Sequence, residues 1–162
     1  MERSPIPRMV IALLALIGIF DAAYLWYEQF APVPIVCPTG GGCAAVAASP
    51  FSMLYGVIPV AAIGLLGYVA LLALGLLSLH HDTLAGLPLA PALVALSAVG
   101  VTFSLYLVYV QLAVIHQICF WCMLSAVAQL LIGVATLVNL RAWLAQRETL
   151  ENSPPGALAA RR

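Results

Sequence analysis

Lysine does not occur among the 162 residues of this chain, and charge of either sign is scarce. Only 7% of the residues are Asp, Glu, Lys or Arg, against roughly 25% in a soluble domain. So few charges cannot coat a water-facing surface, which excludes an ordinary soluble globule. The six arginines are confined to the ends: Arg3 and Arg8 at one, Arg141, Arg147, Arg161 and Arg162 at the other. No Lys or Arg stands between residues 9 and 140, so no basic, aromatic-laced surface exists to hold nucleic acid. Cysteine is rare as well. There are four, in two close pairs: Cys37 with Cys43, and Cys119 with Cys122.

What is abundant is apolar sequence, 64% of the chain with a mean hydropathy of +1.10. It falls into four segments, at about 7–29, 56–79, 89–112 and 119–140, each longer than the roughly 20 residues that cross a bilayer as a helix. Backbone polar groups find no water in hydrocarbon, so helix is the expected state of each segment. The first segment follows two arginines, as a secretion signal would. Cleavage after Ala23, however, would put Asp21 where a small neutral residue is needed, and apolar sequence continues through Trp26. The reading is an all-α integral membrane protein, a four-helix bundle over residues 1–141 with a short disordered cytoplasmic tail at 142–162. Gly64, Gly67 and Gly75, with the Gly100/Ser104 pair, suit close helix packing in lipid.

Four spans put both termini on one side, and arginines beside membrane helices favour the cytoplasm. Both ends and the "LHHDTLAG" connector are therefore expected inside. The 31–55 loop and the "VIHQ" connector are expected outside, which places all four cysteines at the outer face of a cell membrane. The His80–His81–Asp82 run, superficially metal-like, falls on the opposite side.

Cys119 and Cys122 form a C-x-x-C at the start of the fourth helix. Spacing i, i+3 puts both sulfurs on one face there, and the helix dipole favours a thiolate. Cys37 and Cys43 flank "PTGGG", a hoop short enough to close at little entropic cost and rich enough in glycine to move. Mobility suits a sulfur that must leave one partner for another; a structural bridge gains little from it. Spacing alone leaves alternatives open: a redox relay, two static disulfides, a four-thiolate zinc site of imperfect spacing, or small hydrophobic filler.

The order of motifs is more specific. "YLWY" ends the first span, then come "CPTGGGC", "AASPFSMLYGVIPVAAIGLLGY" and "FSLYLVYVQLAVIHQICFWC". In this order the chain resembles bacterial-type members of the vitamin K epoxide reductase family over about residues 10–140. Membrane oxidases of the DsbB type carry their C-x-x-C early, which speaks for the former. The resemblance implies a quinone pocket inside the bundle, open toward the outer face, with the stretch from Ala44 to Ala48 as a short interfacial helix over it. It implies that Cys37 exchanges disulfides with a thioredoxin-fold (DsbA-like) partner, that Cys43 relays to Cys119, and that Cys122 faces the quinone. Ser49, six residues after Cys43, matches a hydroxyl residue of the active site. Animal members carry a tyrosine four positions after the last cysteine; here that position is Ala126, which favours simple quinone reduction over epoxide reduction. Some members carry a fused thioredoxin-like domain; only about twenty residues follow the last span here, so the partner is expected to be a separate chain.

Other polar residues in or beside the spans are candidates for the same pocket. Asp21 is an intramembrane acid, costly unless functional or hydrated at the helix end. Gln111 and His116 lie near the outer end of the third span, where they could serve as interfacial residues alone or assist quinone protonation, and Tyr106 could line the ring site or join an aromatic belt. The rival readings are a membrane scaffold held by two fixed disulfides and a small transporter coupled through Asp21.

Overall fold

The computed structural model describes residues 6–31, 36–38, 40–54, 56–81, 83–84 and 86–152. Among them four helices are long and apolar enough to cross a bilayer. The chain is a multi-pass membrane protein built as a four-helix bundle. Helix α1 spans Ile6–Phe30, α3 Val60–His80, α4 Leu89–Tyr109 and α5 Phe120–Glu151; the short α2, Gly42–Ala47, lies between the first two spans.

Two small hairpins set where α3 and α4 begin. Strands β1 (Met53–Leu54) and β2 (Ile58–Pro59) pair antiparallel, as do β3 (Thr83–Leu84) and β4 (Leu87–Pro88). Each hairpin turns through a left-handed glycine, Gly56 at φ +72° and Gly86 at φ +83°, a conformation only glycine adopts without strain. Each ends in a proline, Pro59 or Pro88, whose fixed φ leads directly into the helix. The second span therefore starts at Val60 rather than at the expected residue 56. Asp82, part of the histidine-rich run, lies outside the described residues.

The largest departure from expectation is at the C-terminal end. Residues 142–151, expected as disordered tail, continue α5 as helix through Glu151. Apolarity stops near Leu140, but Ala, Leu, Gln, Arg and Glu beyond it are good helix formers. Trp143 is buried, and the Arg147 guanidinium lies 4.3 Å from its ring centre. Residues 153–162 lie outside the described residues.

Helix α1 packs along α3 and α5, and α5 packs along α4, while α3 and α4 touch only sparsely. The core joins Ile11, Ala15 and Ala22 of α1 to Tyr68 and Leu71 of α3, Leu93 of α4, and Ile132 and Ala135 of α5. Gly18 lets the Tyr68 ring lie against the α1 backbone, since a Cβ there would overlap that ring. Leucines and valines such as Leu13, Leu66, Leu105 and Val138 point outward, as lipid-facing residues do. At one end of the bundle the Arg8 side chain, only 8% exposed, donates to the Ser78 carbonyl and to Asn139 Oδ1 (3.2 Å), joining α1, α3 and α5. The cysteines gather at the other end.

Candidate functional site

Helix α5 opens at the C-x-x-C. Cys119 immediately precedes its first residue, and its Sγ accepts the backbone N–H of Cys122 (3.3 Å), as an N-cap side chain does. The Cys122 thiol donates to Cys119 Sγ at 2.7 Å, and both are free thiols. That donated hydrogen bond, followed by backbone N–H groups of Cys122 and Trp121, holds the Cys119 thiol below its ordinary pKa against the opposing effect of burial.

The segment before Cys119 is held by an irregular turn. After Tyr109 the chain widens into a π-helical stretch, Val110–Ile115, and leaves it through His116 in the left-handed region at φ 55°. This turns the Gln111 side chain inward. It is 3% exposed, and its Oε1 accepts the backbone N–H of Cys119 at 3.0 Å. Gln111 thus positions the C-x-x-C.

The other pair sits on top of this end. Cys37 and Cys43 are joined as a disulfide, with Cys43 fully buried in α2 and Cys37 half-buried. Gly40 takes φ +103°, which bends the hoop. Gly42, the first residue of α2, backs onto the Ile118 carbonyl so closely that a Cβ would overlap it. Gly42 therefore serves the close approach of the hoop to the C-x-x-C. Trp121 holds the hoop from the other side. Its indole N–H donates to the Val36 carbonyl at 2.9 Å, and its ring lies 5.0 Å from that of Tyr24.

Beneath α2 is a cavity of about 340 Å³. Cys43, Cys119 and Cys122 line it together with Ser49, Gln111, Tyr68, Ser125 and Gln129; the rest of its wall is mostly aliphatic and aromatic. Gly64 and Gly67, expected as helix-packing residues, have nothing within 4 Å of a built Cβ and line this cavity instead. They face it where α3 and α4 separate. Ser49 ends α2, its hydroxyl donating to the Val46 carbonyl at 2.7 Å, and Gln29 reaches the same turn by donating to Ser52 Oγ at 3.2 Å.

Three other sequence candidates do not reach the cavity wall. Tyr106 is 53% exposed on α4 and, about 100° around the helix from Leu107, falls beside the cavity-lining face rather than on it. His116 is exposed in the left-handed exit from the π turn. Asp21 is buried in α1 behind the cavity, and neither carboxylate oxygen has a hydrogen-bond partner among the described residues. The Tyr68 hydroxyl bonds the carbonyl (2.8 Å) and hydroxyl (2.9 Å) of Ser125.

Sequence reasoning did not single out Trp121's tie to the hoop, or Gln29, Tyr68, Ser125 and Gln129 on the cavity wall. A signal existed for the last two: they are polar residues inside an apolar span.

Residues 9–137 match the model of the vitamin K epoxide reductase family, whose members are membrane thiol–disulfide oxidoreductases that use quinones. The match takes in all four cysteines and every cavity residue named above, and the chain belongs to that family.

Proposed function

We propose that this protein oxidises a reduced thioredoxin-fold protein outside the cytoplasm and passes the electrons to a membrane quinone, sustaining disulfide formation there. The observation that carries this reading is the coincidence of sulfur and cavity: Cys43, Cys119 and Cys122 line one apolar chamber within the spans. Its volume falls in the range of small-molecule sites, about 300–1,000 Å³, and its wall offers a few polar groups among many apolar ones, the pattern that suits a ring with an isoprenoid tail. The sparse α3–α4 contact gives such a tail a route into lipid.

Cys37 is the more exposed sulfur of its disulfide, so a partner thiolate attacks it and leaves Cys43 as the departing thiolate. Cys43, on the helix that rests against Ile118, next attacks a Cys119–Cys122 disulfide at Cys119, releasing Cys122 as a thiolate that takes up a proton. The partner's second thiolate then resolves the bond to Cys37, whose thiolate attacks Cys43 in the Cys43–Cys119 bridge. The hoop disulfide reforms and the C-x-x-C is left reduced, the state in which Cys119 and Cys122 are thiols and Cys37–Cys43 is bonded. Reoxidation of that pair gives up two electrons and two protons; a bound quinone supplies the acceptor for both. Cys122, lining the chamber one turn into α5, faces that acceptor, and the Ser49 oxygen, whose proton is engaged by the Val46 carbonyl, is free to accept from the hydroxyl of the reduced ring. Asp21, set behind the Tyr68–Ser125 pair, acts as a proton depot and does not contact the ring.

The test is direct. Purified protein given a quinone and a reduced thioredoxin-fold substrate is expected to turn over, read as the fall in quinone absorbance, and Cys122→Ser is expected to abolish turnover. Undiminished activity in that variant rules out the relay.

A further inference from the structure

Gln129 closes the far end of the chamber. It stands seven residues after Cys122, so the two lie on one face of α5, about 10 Å apart along the axis. Between them on that face is Ala126, whose methyl leaves the wall flat. Gln129 is 4% exposed and lines the chamber. Its amide is fixed from behind. Nε2 donates to the Ser97 carbonyl at 3.3 Å, and Ser97 is itself held by Thr136, hydroxyl to hydroxyl at 2.8 Å. Gly100 brings the α4 backbone against the same amide, where a Cβ would overlap Nε2 and Cδ. A primary amide has two N–H donors and one acceptor. The bond to Ser97 uses one donor; the second N–H has no partner among the described residues. Burying a rigid, half-used amide in an apolar chamber is costly unless a ligand completes it.

We infer that the second N–H of Gln129 donates to the quinone carbonyl remote from Cys122, fixing which end of the ring meets the thiols. The inference rests on the quinone reading above and adds the orientation of the ring within the chamber. The span from Cys122 to Gln129 accommodates a ring bearing two opposed carbonyls, with a hydrogen bond of about 3 Å at its far end. A donor placed at the remote oxygen also gains strength as electron density builds there, so it favours reduction as well as binding.

The probe is a short-chain benzoquinone, added to full-length protein in lipid nanodiscs with both cysteine pairs oxidised, so that binding is read without turnover. Isotope-edited infrared spectra are expected to show two unlike carbonyl bands, one lowered by the Gln129 bond. In Gln129→Met, close in size but without the donor, that lowering disappears and the dissociation constant rises about fivefold, the effect of one net hydrogen bond. Gly100→Ala, which keeps the amide but pushes it aside, is expected to move the same band. Wild-type protein that binds the probe with a band pattern unmoved by either substitution overturns this assignment alone. Wild-type protein that binds no quinone overturns the proposed function, and the assignment with it.

Discussion

Replacing Gln111 by Met tests whether the π turn positions the reactive end of α5. The change keeps the length and apolar stem of the side chain and removes its carbonyl oxygen. That oxygen is the sole bonded acceptor found for the Cys119 N–H among the described residues, at 3.0 Å, and both residues are buried. Loss of one partner leaves a buried donor unsatisfied, a penalty of about 1–3 kcal/mol. The penalty falls on the closed arrangement of residues 116–119 and is relieved when that segment opens to water. Local opening is therefore expected to become about 5- to 150-fold more frequent. Hydrogen exchange at the Cys119 amide reads this directly, with exchange expected to accelerate by that factor in Gln111→Met. Leu112→Ala, at an exposed neighbouring position in the same π turn, is expected to leave it unchanged. Transfer from hoop to C-x-x-C is expected to slow in parallel, because Cys119 spends less time facing Cys43. Wild-type exchange at Cys119 in the Gln111→Met protein would refute the assignment of Gln111 as a positioning residue.

Two further outcomes concern the sulfurs. Trp121→Phe keeps the ring beside Tyr24 but deletes the donor to Val36, so the hoop should be freer. After reduction, Cys37 is expected to alkylate about 2- to 10-fold faster, in line with the loss of one hydrogen bond, and an unchanged rate would show that the indole N–H does not restrain the hoop. Cys122→Ala removes the leading cause of Cys119's lowered pKa, so the midpoint of Cys119 alkylation against pH, measured with Cys37 and Cys43 replaced by serine, is expected to move upward. The sign follows from the thiolate being the reactive form. It is present above the folded pKa and lost as pH falls through it, so the wild-type protein keeps a reactive Cys119 to lower pH than the variant.

The broad architecture was legible because hydrocarbon permits so few structures. Four long apolar segments could only be helices, and the described spans begin or end within a few residues of the expected limits except where another force acts. Gly56 and Pro59 delay α3 because a left-handed turn and a fixed φ make a hairpin there. Helix propensity carries α5 to Glu151 after apolarity has ended, which a reading based on hydropathy alone misses. Within the site, Cys43, Cys119 and Cys122 were singled out by motif, Ser49 by resemblance and Gln111 only by its place near the end of the third span, and the five share one cavity. Tyr106 and His116 were not separable from these by sequence. Whether a residue on α4 faces lipid or cavity depends on how the helix is rotated in the bundle, and the π turn shifts that rotation just before His116.

The sequence by itself determined that the chain lives in a membrane, that it crosses four times, and that two cysteine pairs flank the spans in the order of its family; hydropathy and motif order depend only on covalent sequence. The tertiary structure alone decided that Gly42 brings the hoop onto Ile118, that Gln111 spends its carbonyl on Cys119, and that Asp21 stands behind the chamber while Gln129 stands in its wall. Those facts depend on helix rotation and contact between segments far apart in the chain, and no local pattern encodes either.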